Sequence, residues 1–102
     1  SGRFTYFNPG LGACGWWHGD NDLVVALNAA QFDVATPPDG NPNHNAFCGR
    51  KIKASYNGKS VTVAVVDRCP GCPWGGLDLS PAAFKKLAGL EVGVLQGTWE
   101  WV

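Results

Sequence analysis

The stretch Val66-Asp67-Arg68-Cys69-Pro70-Gly71-Cys72, followed after Pro73-Trp74-Gly75-Gly76 by Leu77-Asp78-Leu79-Ser80-Pro81-Ala82-Ala83-Phe84, carries the reading of the fold. Its first residues end a strand. Along Lys59 to Asp67, Val61, Val63 and Val65 share one face and Thr62, Ala64 and Val66 the other, so both faces are expected to be covered. Cys69 to Pro73 is a tight turn, and Leu77-Asp78-Leu79 is a short strand. Ser80 then caps a helix with Pro81 at its first position. Phe84, Leu87 and Ala88 face inward, Lys85 and Lys86 outward, and Gly89 ends it.

Working back toward the N-terminus, Arg50 to Tyr56 and Lys59 to Asp67 flank Asn57-Gly58, the preferred pair for a two-residue primed turn, and so form a hairpin. Thr36 to Asn45 holds three prolines and a glycine and reads as a surface loop with no helix or strand of its own. Leu23 to Leu27 is apolar throughout, a strand buried on both faces, with a helical turn over Asn28 to Phe32. Arg3 to Phe7 is an aromatic, β-branched strand that stops at Asn8-Pro9-Gly10. A glycine-rich loop from Gly10 to Asp22 carries Cys14, Trp16, Trp17 and His18. Toward the C-terminus, Val92 to Leu95 and Thr98 to Val102 are read as two strands about Gln96-Gly97. Trp99 and Trp101 share a face and are expected in the core. Short strands, short helices and tight turns favour a mainly β, small closed barrel over a sandwich.

The chain has 102 residues, eight basic and eight acidic side chains, and a net charge of zero. That length suits one domain, 1-102, which buries roughly 65% of its unfolded surface. No basic cluster supports nucleic-acid binding, and the longest apolar run is far short of the roughly 20 residues that cross a bilayer. The chain reads as soluble, mature and monomeric. Cys14, Cys48, Cys69 and Cys72 in a small chain rich in Gly and Pro favour two disulfides and a secreted, extracellular setting. They allow three pairings, of which Cys14 with Cys48 and Cys69 with Cys72 is preferred. Closing a loop of about 35 residues would stabilise the fold by roughly 3 to 4 kcal/mol.

Three stretches together, Gly10 to Gly15 after the aromatic strand, Val66 to Cys72, and Leu77 to Phe84, resemble the double-psi β-barrels. That superfamily includes barwin, the first domain of expansins, loosenins, rare lipoprotein A-like lytic transglycosylases, family 45 glycoside hydrolases and a streptomycete papain inhibitor. The resemblance covers essentially the whole chain and implies a six-stranded double-psi barrel with one or two short helices. In the lytic relatives the motif at Asp78 carries the catalytic acid, and Asp67 lies in reach of the same groove. Glycoside cleavage generally needs two such carboxyls. The lytic relatives also carry a histidine where this chain has Gln31 and Phe32, so no catalytic residue is expected. Asp67 is read instead as pairing with Arg68 or holding loop amides.

Neither a metal nor a cofactor is expected, because Cys69 and Cys72 have no second ligand pair at zinc-finger spacing from His18 and His44. The histidines are read as solvated loop residues. Two functions follow from the resemblance. One is inhibition of a papain-like cysteine protease, with Trp16, Trp17 and Trp74 on the target-binding loops. The other is non-hydrolytic binding and loosening of cell-wall polysaccharide such as cellulose, chitin or peptidoglycan, through a groove of Thr5, Tyr6, Asp67 and Asp78.

Overall fold

A computed structural model describes residues 2–102. Six strands close into a barrel: β1 (Gly2–Tyr6), β2 (Val24–Asn28), β3 (Lys51–Tyr56), β4 (Lys59–Cys69), β5 (Leu77–Leu79) and β6 (Leu95–Trp101), in the spatial order β1-β5-β2-β4-β3-β6. β1 runs parallel to β5 and β2 parallel to β4, while every other neighbour is antiparallel. Parallel partners need long crossovers. The segment between β1 and β2, which holds Cys14 and the paired tryptophans, instead joins two strands that flank β5 on either side.

β2 is buried over its whole length, as its unbroken apolar run requires of a strand between β4 and β5 with both faces covered. Phe4, Leu27, Ile52, Leu77, Leu79 and Leu95 fill the interior with Phe32 from helix α1 (Ala29–Phe32) and Phe84 from helix α2 (Pro81–Lys85). Asn28 is fully buried and satisfied. It caps α1 by accepting from the Gln31 amide at 3.0 Å, and its side-chain amide donates to the Gly76 carbonyl at 3.1 Å. The β3–β4 hairpin turns on Asn57 and Gly58, with φ of 49° and 81°, as a primed turn demands.

The disulfides join Cys14 to Cys48 and Cys69 to Cys72, which removes the other two pairings. Four local expectations change. β4 is covered on one face only near the hairpin, where Thr62 is exposed. Helix α2 ends at Lys85, although Leu87 remains buried beyond it. The proline-rich loop contains a 3-10 turn, Pro42–His44, capped by Asn41, and it is pinned from below by buried Asn45, which donates to the Phe32 carbonyl at 2.7 Å.

The fourth change is at the C-terminus, where one continuous strand replaces the expected pair and Leu90–Val92 forms a 3-10 turn. Gln96-Gly97 is no turn because β6 there passes from β1, where Gly97 faces Gly2, to β3, where Thr98 faces Ser55. A Cβ on Gly97 would lie 2.5 Å from the Phe4 ring and 2.6 Å from the Ser55 carbonyl oxygen. Gly97→Ala should therefore displace a buried aromatic and lower stability by about 2 kcal/mol or more, read as a shifted urea midpoint at unchanged slope.

Candidate functional site

Four neighbouring strands bring the expected groove residues Thr5, Asp78 and Asp67 together. Thr5 on β1 is in register with Asp78 on β5, Asp78 with Ala26 on β2, and Ala26 with Asp67 on β4. The two aspartates thus stand on either side of a small residue, with Cα atoms two strand spacings, roughly 10 Å, apart. Thr5 Oγ1 donates to Asp78 Oδ1 at 2.9 Å. The Asp78 carboxylate also lies within 4.8 Å of the Cys69 and Cys72 sulfurs, which are bonded to each other. Tyr6, the neighbour of Thr5 along β1, points to the opposite face and packs on Phe84, ring centroids 4.9 Å apart. It lines a separate hollow with Asn8, Asp20 and Lys85 and does not join the acids.

The two carboxyls are in different states of use. Asp67 Oδ1 accepts from the Ala13 and Arg68 amides, each at 2.8 Å, and so ties the long loop to β4. The loop comes close enough for this only because residue 12 is glycine: a Cβ there would meet the Val66 carbonyl oxygen at 2.3 Å. The Arg68 guanidinium turns away and forms a two-point pair with Asp33, at 2.7 and 2.9 Å, which holds the Asp33 carboxyl below the usual range. Asp78 has only the Thr5 hydroxyl as a hydrogen-bond partner. Burial pushes its carboxyl above the ordinary 3.8; the Thr5 hydrogen bond works against this and the Asp67 charge with it.

The loop tryptophans are exposed, Trp17 by 76%, Trp74 by 71% and Trp16 by 46%. Their loops are nevertheless tethered. Leu11 and Trp17 form a β-bridge, the His18 amide donates to the Gly10 carbonyl at 3.1 Å, and Cys14 is bonded to Cys48. Trp99 and Trp101, expected in the core, are half-buried at a mouth of the barrel, their rings edge to face at 5.5 Å. With Gln31 and Trp74 they line a shallow groove. His44 is exposed and paired with Asp39, whereas His18 is half-buried with Nδ1 enclosed and unpartnered.

The sequence reading passed over Gln31, Phe47 and Arg50 as parts of this mouth. A signal was there: Arg50 is in phase with Ile52 and Ala54, the inward-facing residues of β3, so its side chain starts out toward the barrel end.

A family model described as Lytic transglycolase, one of the double-psi β-barrels, matches residues 2–99. The papain inhibitor of Streptomyces mobaraensis is 42% identical over 106 aligned residues, covering all of this chain and 71% of that protein. A solved Streptomyces papain inhibitor superposes with a TM-score of 0.89, covering 100% of this chain and 92% of that one. A mutant expansin of Clavibacter michiganensis in complex with cellohexaose gives 0.80 at 25% identity, covering 99% of this chain and 48% of the expansin.

The raised Asp78 carboxyl has a consequence for stability. The folded state holds that proton more tightly than the unfolded chain, so its unfavourable charge is fully felt above the folded pKa and relieved as pH falls through it toward 3.8. Asp78→Asn, which keeps an acceptor for Thr5, should be more stable than the parent at neutral pH. The difference should close on acidification, as followed by urea unfolding across pH.

Proposed function

The chain belongs to the double-psi β-barrel family, and from that premise we propose that it is a secreted, non-hydrolytic inhibitor of papain-like cysteine proteases. The observation that carries this reading is the 42% identity to the papain inhibitors together with near-complete mutual coverage of the solved one. The expansin match spans only half of its partner. Two disulfides in a small chain support an oxidising, extracellular setting.

The surface suits a protein target. An interface gains affinity when its loops lose little freedom on docking. Here Trp16 and Trp17 sit on a loop fixed by the Asp67 carboxylate, a β-bridge and the Cys14–Cys48 bond, and Trp74 follows the small Cys69–Cys72 ring. Exposed tryptophans on a fixed frame are the usual carriers of interface energy. These loops act as a wedge that fills and blocks the protease cleft, and no reactive bond is needed.

Hydrolysis is disfavoured by how the acids are used. Burial raises the Asp78 carboxyl above its ordinary value, the direction a general acid requires. However, Oδ1 of the second carboxylate, Asp67, is engaged in holding two backbone amides, which favours a structural role for it. A specific feature favours polysaccharide binding as the second reading: the register of Thr5, Asp78 and Asp67 across one surface, on a fold shared with an expansin solved with cellohexaose.

Residual papain activity measured against increasing inhibitor, beside co-sedimentation with cellulose, chitin and peptidoglycan, separates the two. The expected result is saturable sub-micromolar inhibition without pelleting, weakened about 30-fold or more by Trp17→Ala and unchanged by Asp78→Asn. An uninhibited protease with pelleting that Asp78→Asn abolishes would overturn the inhibitor reading.

A further inference from the structure

We propose that the protease-contacting surface extends from the tryptophan loops across the barrel mouth, and that Arg50 is its charged anchor, reserved for a carboxylate on the rim of the partner's cleft. This rests on the inhibitor reading above. Arg50 stands at the start of β3 with its backbone fixed on both sides: its amide donates to the Phe47 carbonyl at 3.0 Å and its carbonyl accepts from Val65 at 2.9 Å. The guanidinium carbon lies 4.3 Å from the Trp101 ring centroid and 5.7 Å from that of Phe47, so two aromatic faces hold the plane of the fork in place. Among the described residues the ion pairs are Asp33 with Arg68 and Asp39 with His44, and the Arg50 fork has no acidic or hydrogen-bonding partner. An exposed guanidinium whose orientation is already set presents donors in the geometry a carboxylate takes two at a time.

Its surroundings join this anchor to the loops already assigned. The Trp16 ring lies over Gly49, 3.5 Å from where a Cβ would stand. On the other side Trp101 packs edge to face with Trp99, which borders the groove shared with Trp74. Arg50, Trp101 and Trp74 thus follow one another along the mouth, with Trp16 beside the neighbouring Gly49, and these are residue types that dominate protein interfaces.

The same contacts speak against sugar stacking on Trp101. A pyranose ring stacks on an open indole face, yet Trp101 is covered by Arg50 and by Phe47, whose ring centroid is 4.8 Å away. Trp99 is held by the hydrogen bond from its Nε1 to the Gly75 carbonyl at 2.8 Å and by the edge contact with Trp101.

The test compares papain inhibition by the parent protein, Arg50→Gln, Arg50→Lys and Lys59→Gln, the last removing an exposed charge at the hairpin tip, at low and high salt, with thermal melting as the check on folding. Arg50→Gln should weaken inhibition on the order of 30-fold and flatten its salt dependence. Arg50→Lys, which keeps the charge but not the planar fork, should recover only part of the loss. Lys59→Gln should match the parent. Parent-like inhibition by Arg50→Gln or Arg50→Lys would overturn the anchor while leaving the inhibitor reading intact. An equal loss in Lys59→Gln would overturn it in favour of general charge steering. Unchanged inhibition by Arg50→Gln with lost retention on an anionic polysaccharide would assign the mouth to sugars. A parent protein that leaves papain fully active would remove both readings together.

Discussion

One carboxylate oxygen sets the relation between the barrel and everything mounted on it. Asp67 Oδ1 takes two backbone N–H groups, one from its own strand at Arg68 and one from Ala13 in the crossover between β1 and β2. Hydrogen bonds to a charged acceptor are worth roughly 1.5 to 3 kcal/mol each, and this one closes a contact between residues 54 apart in sequence. The clasp depends on Gly12, which lets the crossover backbone pass over Val66, and it is backed by the adjacent Cys14–Cys48 bond. Without it the loop bearing Trp16 and Trp17 would have to be ordered at each encounter with a partner, at a cost paid from binding. On a scaffold matched by a lytic family model, where two aspartates stand across one surface, this contact commits one oxygen of Asp67 to holding the loop.

The parts of the fold legible in the sequence were those with local causes. Asn57-Gly58 dictated a hairpin because both residues tolerate positive φ, Ser80-Pro81 dictated a helix start, and the apolar run into β2 dictated a strand covered on both faces. What was not legible had non-local causes. Gln96-Gly97 has the composition of a turn, but the glycine is there because β6 must pass close to Phe4 and Ser55 as it changes partners. Strand order likewise rests on the crossovers, whose routes no periodicity encodes; it was accessible only through the resemblance of three motifs to a known barrel.

The site divides in the same way. That Thr5, Asp67 and Asp78 lie together follows from strand register once the barrel is accepted. Tyr6 was grouped with them, and simple alternation along β1 was enough to place it on the other face, against Phe84. The guanidinium of Arg68, next to Asp67 in sequence, pairs with Asp33 because consecutive side chains on a strand point to opposite faces. Trp99 and Trp101 do share the inward-facing side, but they lie at the end of the last strand, where the barrel opens, and burial there is only partial.

A closed barrel has no free strand edge, so it cannot recruit a partner by extending its sheet. In the proposed inhibitor reading, recognition is then carried by side chains at the barrel mouth and in the long loops. Burying apolar area against a partner is non-directional, and the exposed tryptophans alone would tolerate several orientations. A fixed guanidinium among them adds the directional element, because a fork that must meet a carboxylate in its own plane accepts few poses. Asp78 presents the opposite economy: a charge that the fold holds at a cost, beside a disulfide and with a single hydroxyl partner. The two residues differ in what holds them: the Arg50 guanidinium lies against two aromatic rings, whereas burial disfavours the charge of the Asp78 carboxyl and one hydroxyl offsets it.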